Sequence, residues 1–188
     1  MINREAAARA IEDFLRALGH EPEGDLAGTG ERVADAWADD LLEGTSIDAG
    51  AVLREGAIEL RGAEGLVVVR DLSVVTMCPH HLLPAHGTAT VAYLPAHRVA
   101  GVGTIARVVD VPSRRLTLQE SIGDAVADLL VHEIGARGAA CKLALTHTCL
   151  IARGERKTGS VVETLALAGS FAEQTSGDRD LALTVLGR

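Results

Sequence analysis

Residues 140–152 alternate with period two. Cys141, Leu143, Leu145, His147, Cys149 and Ile151 share one side, and Lys142, Ala144, Thr146 and Thr148 share the other. A run of this kind belongs in an antiparallel sheet, with one face on a core and the other toward solvent. Three further stretches read as strands. Residues 66–75 carry the β-branched run Val67, Val68, Val69. Residues 87–94 set Thr88, Thr90 and Ala92 against Ala89, Val91 and Tyr93, and residues 161–168 form the fourth.

The rest of the chain has helical periodicity. In residues 3–18, Ala7, Ile11, Phe14, Leu15 and Leu18 recur on one stripe, with Gly19 as a stop. Residues 31–42 place Val33, Trp37, Leu41 and Leu42 inward, and residues 47–55 predict a short third helix. Residues 104–111 predict another. A longer helix opens at Thr117, where Thr117 and Glu120 have capping-box spacing, and Gly135 ends it. The order is helices, two strands, two helices, two strands, so the fold class is α+β with a four-stranded antiparallel sheet. We divide the chain into a helical N-terminal region, residues 1–56, and a sheet-containing domain, residues 57–188.

Composition narrows what such a fold does. The only aromatic residues are Phe14, Trp37, Tyr93 and Phe171, so the core must be built from small aliphatic side chains. That points to subunit contacts as a source of extra burial. A net charge of -8 argues against a nucleic-acid partner and sits badly with a polyanionic ligand unless cations are gathered in one place. Three cysteines make no disulfide framework. The acidic first residues lack a signal-peptide core and no stretch is long enough to span a membrane, so the expected location is cytoplasmic, with reduced thiols.

Three of the seven histidines and two of the three cysteines fall in two segments, residues 76–81 and 146–149. Cys78 and His81 are three apart, a spacing at which one turn aims both side chains at one ion. His147 and Cys149, two apart on a straight strand, would point the same way about 6.6 Å from each other. Cys141 would lie roughly 26 Å from Cys149 on that strand and reads as a buried thiol. Cys78, His81 and Cys149 are then three zinc ligands with a fourth position open, as in catalytic sites. His80 and His147 stand beside it as proton carriers. Taken singly, each histidine also fits a packed, hydrogen-bonded residue, and Cys149 also fits plain core. Glu120 is either the capping-box acid or a carboxylate for the N–H groups of a guanine edge. Arg107, Arg114, Arg115, Arg153, Arg156 and Lys157 are candidate anion contacts or solvated surface cations.

These residues, taken together, resemble the GTP cyclohydrolase I family. The blocks that carry the likeness are Cys78-Pro79-His80-His81-Leu82-Leu83-Pro84, Val91-Ala92-Tyr93-Leu94-Pro95, Arg107, Leu118-Gln119-Glu120, and His147-Thr148-Cys149 with Arg153-Gly154. Spaced blocks in order are more specific than one short motif. The resemblance implies the tunnelling fold, with paired helices on the sheet, in a toroidal homo-oligomer, a decamer, with active sites between subunits. It implies Zn2+ on Cys78, His81 and Cys149, and catalytic roles for His80 and His147. It implies Gln119 and Glu120 on the purine, and Arg107, Arg153 and Arg32 on a triphosphate. The implied reaction, part of pterin and tetrahydrofolate biosynthesis, is hydrolytic opening of the guanine imidazole ring at C8. GTP becomes 7,8-dihydroneopterin triphosphate plus formate.

Departures from the family pattern cluster at the phosphate end. Gly103 and Thr104 stand where Ser and Lys are usual, Asp35 where a lysine is usual, and Thr158 where a proline is usual. At the metal, Pro79 replaces a glutamate. Two alternatives therefore stand beside GTP. One is the same zinc chemistry on a purine without a triphosphate, a guanine-like or 8-oxopurine base or nucleoside. The other is a non-catalytic zinc-containing binding or regulatory paralogue.

Overall fold

In the computed structural model, residues 2–60 and 65–187 are described. Three helices lead: α1 (Arg4–Ala17), α2 (Thr29–Ala36) and α3 (Ala49–Glu55). A π-turn over Trp37–Leu41 and a 3-10 turn over Glu43–Ser46 join the last two. Then follow β1 (Ala57–Glu59), β2 (Val67–Met77), β3 (Pro84–Leu94), β4 (Arg98–Ala100), α4 (Val102–Ser113) and α5 (Gln119–Ile134). β5 (Gly138–His147), the single turn α6 (Thr148–Ile151), β6 (Val162–Gly169) and α7 (Gly177–Leu186) complete the chain.

The main sheet is antiparallel throughout, in the order β2-β3-β5-β6, as the four alternating runs require. Its inner face carries Val74, Ala89, Val91, Tyr93, Cys141, Leu143 and Leu145, which α4 and α5 cover with Ile105, Val108, Val109, Ile122, Val126 and Leu130. The paired helices on one face are the arrangement the resemblance implies. With few rings available, Tyr93 is the largest fully buried side chain, and its hydroxyl accepts the Ala100 N–H at 3.1 Å. Burial pushes the Cys141 thiol up to about 12, as expected of an inert core cysteine. Leu53 of α3 belongs to the same core, so the helical region and the sheet domain share one interior.

Five features depart from the sequence reading. β5 stops at His147 rather than running on to residue 152. α5 starts after Leu118, and no side chain caps it, so Thr117 and Glu120 form no capping box. The pair β1–β4 adds a small second sheet, and α7 covers part of the outer sheet face with Ala182 and Leu186 on Phe171, Ala92 and Ala140. α1 packs on α2 but buries none of its residues. Among the described residues, no helix is long and apolar enough to cross a membrane.

Candidate active site

The cysteine–histidine cluster forms where two loops leave the same end of the sheet. β2 and β3 pair Met77 with Pro84, and β3 and β5 pair Ala85 with His147. The first loop is pinched by the Cys78 N–H donating to Leu83 O at 3.0 Å. Leu82 takes a left-handed conformation, φ 53°, to close it. On the other side the chain turns into α6 directly after His147, and the Thr148 hydroxyl donates to Pro84 O. Cys149 therefore sits on a helical turn, not one strand-step beyond His147. The turn delivers its sulfur to the first loop.

Ligand atoms of Cys78, His81 and Cys149 lie within 4.8 Å of one another. Nδ1 of His81 is 3.7 Å from Cys78 Sγ. Zinc–sulfur and zinc–nitrogen bonds of about 2.3 and 2.0 Å in a tetrahedron give ligand–ligand edges of roughly 3.5–3.8 Å, so this donor set fits the ion. Burial and the neighbouring Cys78 thiol both push the Cys149 thiol up. The Cys149 thiol therefore resists ionisation unless a cation joins it. His80 is exposed, its ring centroid 6.3 Å from that of His81. Arg153 Nη1 lies 2.9 Å from His81 Nε2. An arginine can only donate, so Nε2 accepts in this arrangement.

His147 is held from behind. Its Nε2 is 2.7 Å from Oε1 of Gln119, a side chain only 4% exposed. The Gln119 amide nitrogen donates toward Val162 O at 2.9 Å, Thr164 Oγ1 at 3.1 Å and Leu143 O at 3.4 Å. These acceptors fix which end of the amide faces His147, so the imidazole proton sits on Nε2 and Nδ1 keeps its lone pair. Burial pulls the His147 pKa down, while the Glu120 carboxylate opposes this. Gln119 thus spends its polar atoms inside the fold, while Glu120, next along α5, is exposed. Thr164 is a functional candidate the sequence reading missed. It looks like any strand threonine until its partner is known.

Four other anion candidates, Arg107, Arg32, Arg114 and Arg115, are engaged elsewhere. Arg107 is forked onto Glu43, Nη1–Oε1 3.0 Å and Nη2–Oε2 3.5 Å. The Arg107 guanidinium holds the Glu43 carboxyl below its ordinary range. Arg32 donates to Thr29 Oγ1 at 3.1 Å. Arg114 donates to Asp40 O, and Arg115 to Gly44 O and Ile47 O. Asp35 and Asp39 are both held by Arg4. Thr104 donates to Gly56 O at 3.3 Å, and a Cβ on Gly56 would come within 2.1 Å of Thr104 Oγ1. No hydrogen bond joins Arg32 or Arg107 to the cysteine–histidine cluster among the described residues. Glu43 had no signal in the sequence, because its partner lies 64 residues away.

The chain is similar in sequence to known proteins. The family model described as GTP cyclohydrolase I matches residues 7–185. GTP cyclohydrolase 1 of Leifsonia xyli subsp. xyli is 38% identical over 179 residues, 95% of this chain and 93% of that protein. The Chromobacterium violaceum protein of the same name is 42% identical over 167 residues, covering 88% and 80%. That of Rhodopirellula baltica is 40% identical over 163 residues, covering 86% and 70%. Among solved structures, an archaeosine synthase QueF-like protein in the apo form overlays with a TM-score of 0.48 at 17% identity, over 57% of this chain and 97% of that one.

Proposed function

This chain belongs to the GTP cyclohydrolase I family, and from that premise we propose that it is a zinc-dependent hydrolase that opens the imidazole ring of GTP. The products are 7,8-dihydroneopterin triphosphate and formate. The observation that carries the reading is the grouping of Cys78, His81 and Cys149. It lies beside a histidine whose tautomer is set by a buried amide.

Cys78, His81 and Cys149 would hold the ion, which when bound supplies the Lewis acidity that makes a water acidic near neutral pH. His147 takes a proton at Nδ1, because Nε2 is engaged by Gln119. His80, exposed beside His81, delivers a proton to a ring nitrogen of the purine as the C8–N bond breaks. Glu120, exposed at the start of α5 and freed from any capping role, accepts from the guanine edge. Gln119, carried over from the family as a purine contact, acts here through His147. With an ion on Nδ1, His81 would carry its proton on Nε2, and Arg153, which can only donate, would be free to meet the substrate's phosphates. Arg107 and Arg32 are the remaining phosphate contacts.

The working form is a homo-oligomer with active sites shared between subunits. Support comes from α1, where Phe14 is 59% and Leu18 is 58% exposed on an apolar stripe.

The test is incubation of the zinc-loaded protein with GTP, following formate and pterin fluorescence. Formation of both is expected. No turnover of GTP, with loss of absorbance from guanosine or an 8-oxopurine, would move the activity to a purine without a triphosphate. Inertness toward all of them would make the protein a binding or regulatory paralogue.

A further inference from the structure

Arg107 reaches Glu43 from α4 with both guanidinium nitrogens, across 64 residues of sequence. The side chains are 37% and 34% exposed, so water screens the pair only in part. The segment that presents Glu43 is fastened down around it. Arg114 grips Asp40 O just before it, and Arg115 grips Gly44 O and Ile47 O just after it. Glu43 is therefore delivered to Arg107 by a braced turn. A second carboxylate, Asp110, feels the Glu43 charge and is pushed up, first by burial and then by that neighbour.

A phosphate chain arriving at Arg107 meets this arrangement in one of two ways. It displaces Glu43 and gives up a two-pronged, charge-assisted pair. Or it binds beside Glu43 and Asp110 and meets like charge. A purine with no phosphate meets neither cost. We propose that Glu43 is a specificity-determining residue, an internal counter-anion that competes with the substrate's phosphate oxygens for Arg107 and so disfavours triphosphates relative to nucleosides. The inference rests on Arg107 being a phosphate contact, as in the reading above.

The test uses the full-length, zinc-loaded protein. Inorganic triphosphate is titrated calorimetrically into wild type, Glu43→Gln and Glu43→Ala, and the ratio of kcat/KM for GTP over guanosine is measured in parallel. Both variants are expected to bind inorganic triphosphate roughly 3- to 30-fold more tightly, the range spanned by surface and charge-assisted pairs. The GTP-to-guanosine ratio should rise with it. Unchanged or weaker triphosphate binding in both variants overturns the proposal, as does binding that Arg107→Ala leaves untouched. If neither purine turns over, the catalytic reading fails, while the triphosphate titration still decides the role of Glu43. Two substitutions are used so that a folding defect in one leaves the other to be read.

Discussion

Oε1 of Gln119 and Nε2 of His147 stand 2.7 Å apart, joining the first turn of α5 to the last residue of β5. The contact is directional because Val162 O and Thr164 Oγ1 hold the other end of the amide. Gln119→Met keeps the volume and removes every hydrogen bond. We expect kcat to fall roughly 10- to 100-fold, the usual size of a supporting contact to an active-site histidine, with KM for GTP little changed. Thr164→Val should produce a smaller fall of the same kind. A raised KM at unchanged kcat would instead make Gln119 a substrate contact.

Cys149→Ser should lose zinc, read as metal content after dialysis against a weak chelator. His147→Ala should keep zinc and lose turnover by about 10²- to 10⁴-fold, the range for a general acid–base residue. Full metal and activity in the first variant would return Cys149 to the core. Wild-type rates in the second would reduce His147 to a packed residue.

The Glu43–Arg107 pair has a signature in stability against pH. The folded-state pKa of Glu43 lies below its ordinary value of 4.5. The pair's contribution is then fully present above that value and disappears as pH falls through the folded pKa. The difference in Tm between wild type and Glu43→Gln is expected to be constant from about pH 6 to 7 and to close on acidification below the ordinary carboxylate range. A gap that widens on acidification would show that another group is responsible.

Gly56→Ala would place a methyl group 2.1 Å from Thr104 Oγ1, closer than atoms can approach. Thr104 must leave Gly56 O, or β1 must shift. A loss of about 1–3 kcal/mol is expected from denaturant midpoints, typical of overpacking. Adding Thr104→Gly should recover much of it, because the three nearest atoms all belong to that side chain.

The strand interiors and the donor residues were legible because their signals are local. Period-two alternation marked Cys141, Leu143 and Leu145, and spacing marked Cys78 with His81. What was not legible depends on partners far along the chain. The strand ends at His147 because Thr148 finds Pro84 O across the sheet and the backbone turns to follow. Thr117 and Glu120 have the spacing of a cap, but the helix opens at Gln119, whose side chain is drawn inward to β5 and β6. Arg107 looked like a free cation because nothing near it in sequence announces Glu43.

The register of β3 against β5 also has a consequence for how the protein comes together. Cys78 and His81 are neighbours from the start, but Cys149 reaches them only when Ala85 settles opposite His147. A slip of one position would turn His147 to the other face of the sheet and strand it from Gln119. A nascent chain thus offers a metal two donors early and the third only after β5 has docked on β3 across the connection that holds α4 and α5, a step that is slow because that connection is long. Tight metal capture becomes a late event in folding, one that reports a correctly registered sheet.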